Sequence, residues 1–201
     1  MADIMENLEL NADFTKRVSV HAAKLDWQSS PMKGVERRML DRIGDEVARA
    51  TNIVRYAPGS HFSSHVHTGG EEFIVLDGVF QDEHGDFPKG SYIRNSPQSS
   101  HTPGSKPGCT ILVKLWQMEQ NDRTHVRIDT NKMSAQRMVG RENAQITPLF
   151  NDGFEDVRLE KWDANQTVSF DPKGGLEVFV IGGGFVQDGE AFRETHGCDC
   201  R

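Results

Sequence analysis

The chain is predicted to be all-β, a barrel or a two-sheet sandwich, on three observations. Short runs of Val, Ile, Tyr and Phe alternate with clusters of Gly, Pro, Asn and Asp along much of its 201 residues, the pattern of many short strands closed by tight turns. Apolar residues hardly recur at the three- and four-residue spacing of a helix face. The run Phe73-Ile74-Val75-Leu76 ends at a glycine two residues on, as a buried strand followed by a turn does. A jelly roll of two packed sheets is one architecture that satisfies such a pattern.

Taken in order, residues 1–17 read as a polar arm that runs into a strand over 17–21. Ser29-Ser30-Pro31 is a turn, and strands are expected over 35–40 and 47–56, separated by Gly44-Asp45. Ala57-Pro58-Gly59 turns the chain again. A strand over 79–82 is followed by a hairpin turn at His84-Gly85, and Pro88-Lys89-Gly90 precedes a strand over 91–94. The next apolar run, over 109–116, is also a strand. Residues 118–145 turn polar, with one strand over 125–128, and read as a connection.

The totals exclude some classes of function. Lysine and arginine number 23 against 30 aspartates and glutamates, net −7, which argues against a nucleic-acid surface. No apolar run approaches the 18 or so residues of a membrane span. The acidic start, Met1-Ala2-Asp3-Ile4-Met5-Glu6, lacks the basic and apolar regions of a secretory signal. Three cysteines without a paired framework fit a reducing, cytoplasmic setting.

The chemistry concentrates between Gly59 and Gly78. His65 and His67 are two residues apart, so on a strand both imidazoles point to one face. Glu71 follows the turn-forming Thr68-Gly69-Gly70. Two imidazoles and a carboxylate on adjacent strands are the ligand set of a divalent transition metal. Glu72 also lies within reach of the pattern, but neighbouring strand residues face opposite ways, so only one of the two carboxylates can be a ligand.

The spacing of Gly59, His65, His67, Glu71 and Gly78 resembles the first motif of the cupin superfamily at every position. The six residues between Glu71 and Gly78 favour Glu71 over Glu72. Gly90 and His101, eleven apart, match the spacing cupins use for a fourth ligand, although Ser96, Gln98 and Ser105 replace that motif's usual proline, glycine and asparagine. The surrounding residues (Glu71-Glu72, Val79-Phe80, Asp82-Glu83, Gly108-Cys109) resemble the ChrR-type cupins over roughly 18–117. The resemblance implies a double-stranded β-helix holding one divalent ion, Zn or Fe(II), on His65, His67, Glu71 and His101. It also implies kinship with a zinc anti-sigma factor, and with stand-alone cupins that are iron-dependent dioxygenases.

An internal repeat marks the second half. Adding 105 carries Gly69-Gly70 onto Gly174-Gly175, Glu72 onto Glu177, Val75-Leu76 onto Val180-Ile181, Gly78 onto Gly183 and Phe80 onto Phe185. The ligand positions become Phe170, Pro172 and Leu176, none of which binds a metal. The expected organisation is therefore an arm (1–17), a metal-binding cupin domain (18–117), a connection (118–145) and a degenerate, incomplete second cupin module (146–201). Phe170 and Leu176 are expected to fill the space a metal would occupy. The unpaired edges of such a module point to a homodimer or to a clasp by residues 1–26.

Other candidates are weaker. His61 shares parity with His65 and His67 but reads as a rim residue; His21, His84 and His125 read as surface. Cys109 is expected to be a buried small hydrophobe, and the side Lys114 faces is left open. The terminal His196-Gly-Cys198-Asp-Cys200 is expected to be a tail. In function, the expectation is a metal-binding sensor or small-ligand binder related to anti-sigma factors. The alternative is a non-haem iron dioxygenase acting on a small diketone or aromatic ketone. A sigma factor is not expected as partner, because no cysteine precedes Cys109 to build the anti-sigma zinc motif.

Overall fold

A computed structural model describes residues 8–194 except Glu46 and Val139. The strands are β1 (Glu9–Leu10), β2 (Gln28–Ser29), β3 (Val35–Ile43), β4 (Arg49–Tyr56), β5 (Ser60–His61) and β6 (His65–His67). They continue as β7 (Glu71–Asp82), β8 (Gly85–Pro88), β9 (Ser91–Asn95), β10 (Ser99–His101), β11 (Gly104–Ser105) and β12 (Cys109–Leu115). After β13 (Val126–Asp129) come β14 (Gln136–Met138), β15 (Arg141–Asn151), β16 (Asp156–Trp162) and the hairpin of β17 (Gly184–Gln187) and β18 (Glu190–Arg193). All ladders are antiparallel. One layer runs β1-β3-β4-β12-β7-β9-β13; the far half of β7 carries β8 and the β11-β5 pair, and β6 and β10 form a ladder of their own. The fold is an all-β cupin jelly roll.

The central strands bury both faces, which is why β7 reads as a continuous apolar run rather than an alternating one. Inward, Phe73, Val75 and Phe80 pack with Ile111, Val113, Ile93, Tyr56 and Val35. Outward, Ile53, Ile74 and Leu76 pack under Trp27, Leu40, Leu112, Leu159 and Phe179. That outer cover comes from the segment before β2 and from the second half of the chain.

Gly78 ends no strand. Opposite β12, Asp77 pairs with Thr110 but Val75 with Ile111, so Leu76 is an extra residue, a β-bulge. Gly78 takes φ 69°, and a Cβ there would lie 2.0 Å from the Gly108 carbonyl oxygen. The glycine therefore bends β7 from one layer into the other without breaking it. The strand expected over 17–21 is absent: Ala22–Lys24 form a 3₁₀ turn instead. Side chains explain this, since Arg17 pairs with Asp188 at 2.5 Å and His21 with Glu190 at 2.7 Å, both beside β17 and β18. His21 also stacks on Phe192, ring centroids 5.3 Å apart. The polar 118–145 stretch contains β13 as expected, and also β14 and the start of β15.

In the second half, β14, β15 and β16 form one sheet. The offset of 105 that aligns the glycines carries β8 onto β18, and Gly183 takes φ 72°, close to Gly78. Between β16 and β17 the described residues form no strand, so the counterpart of the Phe73–Leu76 run lies outside any ladder. Leu176 is 52% exposed and fills no vacated metal site; Phe170 lies against Trp162 at 5.9 Å. The tail His196, Cys198 and Cys200 and residues 1–7 of the expected arm fall outside the described residues.

Arg94 binds the two halves. Its side chain is 1% exposed, pairs with Asp122, reaches Glu155 at 2.9 Å and lies over the Phe150 ring at 4.0 Å. An isolated buried guanidinium would be costly, so these carboxylates are what permit it. Arg94→Leu is expected to lower stability by roughly 2–3 kcal/mol, because Asp122 and Glu155 retain partial solvent contact, and hydrogen exchange should show β14–β16 losing protection before β7 and β12. Gly78→Ala is expected to cost at least about 2 kcal/mol in urea unfolding, since it adds both a strained φ and a collision with backbone.

Candidate metal centre

Four side chains meet where the two layers approach. The β6-β10 ladder pairs His65 with His101 across the strands, so His65, His67 and His101 all turn toward one point. Their ring nitrogens lie within 4.8 Å of one another. Glu71, the first residue of β7, reaches the same point from the other layer: its Oε2 is 3.4 Å from His67 Nε2 and 3.5 Å from His101 Nε2. The turn between β6 and β7 is tight because Gly69 lies under the Trp116 ring, where a Cβ would come within 2.1 Å. His67, Glu71 and His101 are buried and His65 is half-buried, which leaves the His65 side toward solvent.

The groups around these residues fix their orientation. His65 Nδ1 lies 2.9 Å from the Ser63 carbonyl oxygen. A carbonyl only accepts, so Nδ1 carries the proton and Nε2 keeps its lone pair for the centre. His101 Nδ1 faces Asp82 Oδ2 at 3.3 Å, which assigns its proton in the same way. Asp82 also accepts from the His84 backbone N–H at 2.7 Å. Asn95 Nδ2 donates to Glu71 Oε2 at 3.1 Å, and Arg127 donates to Asn95 Oδ1 at 3.1 Å. A histidine whose far nitrogen donates to a carboxylate or carbonyl is the usual outer support of a metal ligand.

His67 and His101 behave oppositely as acids. Burial holds His67 below the ordinary imidazole range, despite the pull of Glu71. Burial acts on His101 in the same sense, but the hydrogen bond to Asp82 and the charges of Glu71 and Asp82 outweigh it and raise the net value. Their Nε2 atoms are 2.8 Å apart, close enough for one proton to bridge the two rings.

The arrangement fits a divalent ion. Two ligand atoms each about 2.1 Å from one ion stand about 3.0 Å apart at octahedral angles and about 3.4 Å at tetrahedral ones. The Glu71 separations of 3.4 and 3.5 Å match, and the 2.8 Å between His67 and His101 needs only a small opening. The donor set of imidazoles and one carboxylate suits Zn or Fe(II) and disfavours Ca or Mg.

The sequence-predicted residues His65, His67, Glu71 and His101 thus come together. Glu72 faces the other way, where Tyr92 Oη donates to its Oε2 at 2.6 Å and burial raises its pKa. Lys114 is also on the outer face, paired with Glu177. His61 and His84 are exposed, and His125 contacts Ser96 Oγ at 3.3 Å. Cys109 is buried and its thiol is pushed up to about 12 by desolvation, so it is inert. Asp82 and Asn95 were not singled out from sequence. Asp82 is an odd eleven residues after Glu71, which strict alternation would place on the opposite face; the bulge at Leu76 reverses that parity.

Comparison with known proteins bears on the family and the fold. The sequence model of the ChrR cupin-like domain matches residues 15–119. Among solved structures, the Rhodobacter sphaeroides complex of SigE with the anti-sigma ChrR is similar at 26% identity, over 46% of this chain and 49% of that one, with a TM-score of 0.39. The chain therefore spans about half the length of that one. Escherichia coli Ylba is similar in fold at 13% identity, over 88% of this chain and 78% of that one, TM-score 0.55. An RmlC-like cupin from Ralstonia eutropha is similar at 13% identity, over 58% and 76%, TM-score 0.44. No curated protein matches the sequence.

The hydrogen bonds make a spectroscopic expectation. Nitrogen-15 NMR of the metal-free protein should show Nδ1-protonated rings at His65 and His101, an uncommon tautomer in water. Asp82→Asn should shift His101 away from it and leave His65 unchanged; an Nε2-protonated His65 would contradict the geometry.

Proposed function

The chain belongs to the ChrR cupin-like family, and from that premise we propose that it binds one divalent metal ion through His65, His67, Glu71 and His101 and uses it to hold a small molecule. The observation that carries this reading is the convergence of three imidazoles and one carboxylate from both layers on one point. When bound, such an ion would act as a Lewis acid toward an oxygen ligand. The protein's own part is to orient His65 through Ser63, His101 through Asp82 and Glu71 through Asn95, and to keep water away on the buried side with Phe73 and Phe80.

We read the protein as a sensor or small-ligand binder of the ChrR kind. A non-haem iron dioxygenase acting on a diketone or aromatic ketone is the second reading. It is favoured by one feature, the half-buried His65 side, which leaves a route for a further ligand. Elemental analysis of the purified chain separates them when joined to oxygen-uptake measurements with acetylacetone. Zinc without oxygen uptake supports the sensor; iron with uptake supports the enzyme.

The second half carries no ligand set at Phe170, Pro172 and Leu176, so the expected stoichiometry is one ion per chain. His65→Ala should abolish metal content. Asp82→Asn should weaken binding about 10- to 100-fold, measured by competition with a chelator. Two ions per chain would contradict the assignment of a single centre.

A further inference from the structure

A cavity of about 410 Å³ opens between the two layers, on the side where β8 and β13 are edge strands. Such a volume lies in the range of small-molecule sites, roughly 300–1,000 Å³. Phe87 and Pro88 of β8 form one wall; Ser91 of β9, Arg127 and Asp129 of β13, and Lys132 form the other. None of His65, His67, Glu71 or His101 lines it.

Strand register decides which side chains turn inward. Arg127 pairs with Ile93 and Asp129 with Ser91, and Ile93 belongs to the inward core against which Phe87 packs. Residues directly opposite across a ladder share a face, so Arg127 and Asp129 look between the layers. Asp86 alternates with Phe87 and faces out, where its Oδ1 accepts from Gln81 Nε2 at 2.7 Å. Asp129 is held by Lys132 at 3.0 Å and by the Asn131 backbone and side-chain N–H groups at 3.1 and 3.0 Å. The charged side chains turned to the cavity are thus Arg127, Lys132 and Asp129, two cations to one anion. Among the described residues Arg127 pairs with no carboxylate, and its one hydrogen bond goes to Asn95.

Arg127 also connects the cavity to the metal centre. Its Nη2 donates to Asn95 Oδ1 at 3.1 Å, and Asn95 Nδ2 donates to Glu71 Oε2 at 3.1 Å. A guanidinium only donates, so it keeps the amide oxygen on its own side and thereby aims the amide N–H at Glu71. Asn95 is 3% exposed, which makes these two protein partners the ones that set its orientation. The remaining N–H groups of the guanidinium are left for the cavity.

We propose that this side cavity is a second ligand site, separate from the metal centre, for a small carboxylic acid with an apolar body. The carboxylate takes the N–H donors of Arg127 that Asn95 does not use, and the body lies on Phe87 and Pro88. A planar guanidinium grips a carboxylate through two parallel N–H bonds. Occupancy immobilises Arg127 and, through Asn95, fixes Glu71 where it faces His67 and His101. Acid and metal ion then tighten each other's binding by the same factor, as linked sites must. The site itself does not need the ion; only this coupling rests on the metal-binding reading.

The test uses the full chain, metal-free and zinc-loaded, with benzoate and its neutral isostere benzamide. In amide NMR titrations of the metal-free chain, benzoate is expected to bind at least about tenfold more tightly than benzamide, the scale of one charge-assisted contact. The shifts should centre on Phe87, Ser91 and Arg127. Arg127→Gln, at an exposed position and checked by circular dichroism, should remove the preference; Arg127→Lys should keep part of it. Equal binding of acid and amide, no binding of either at millimolar concentration, shifts centred on His65 and His67, or a preference unchanged in Arg127→Gln overturns the site. Chelator competition should show zinc held about fivefold or more tightly under saturating benzoate, the low end of typical couplings. Asn95→Ala should cancel that gain while benzoate still binds. Zinc affinity unmoved by benzoate, or a gain that persists in Asn95→Ala, overturns the link and leaves the site. Benzoate binding without any zinc binding overturns the metal reading instead.

Discussion

Leu76 is one residue too many for the ladder between β7 and β12, and the consequence runs through the whole molecule. Before the bulge, Glu71, Phe73 and Val75 face inward; after it, Phe80 and Asp82 do. Without the extra residue Phe80 would leave the core and Asp82 would leave His101. The bulge is affordable only because Gly78 can take φ 69° and let the Gly108 carbonyl approach closely. β7 can then serve both layers at once, supplying a metal-facing carboxylate at one end and the support of a histidine at the other.

Much of the centre is legible in the sequence, because a His-x-His pair on a strand and a glutamate beyond a glycine turn are local features. His101 was legible only through family spacing, since nothing in its own neighbourhood sets its direction; the β6-β10 ladder does that. Asp82 was hidden because parity counting fails across a bulge. Asn95 was hidden because its partner lies on another strand. The missing strand over 17–21 has a similar cause. Backbone propensity there is weak, and Arg17 and His21 find charged partners 171 and 169 positions away in sequence, which no local pattern reveals.

The second half of the chain repeats glycines of the first and its β7-β8 hairpin, yet leaves the run after Gly175 outside any ladder. Its structural contribution lies elsewhere. Leu159 and Phe179 cover Ile53, Ile74 and Leu76, and Glu155 and Glu177 meet Arg94 and Lys114. The outer face of the main sheet is therefore part apolar and part ionic, and both parts need the cover. Exposed alone, that face would present isoleucine and leucine to water, and Arg94 would lose one of the carboxylates that allow its burial.

Glu71 and Glu72 show how one strand serves both requirements. The two carboxylates are adjacent and equally buried, yet alternation sends them to opposite sides of the sheet. Glu71 meets the His67 and His101 imidazoles across the barrel interior, a setting suited to a shared metal ion. Glu72 meets Tyr92 and lies near Lys114 and Arg94 under the cover of the second half, and burial makes it a weaker acid. A carboxyl on one side thus completes a site, while on the other it is bonded by Tyr92 within the sheet itself. The same residue type does both because the environments differ, and those environments are set by which half of the chain packs on which face.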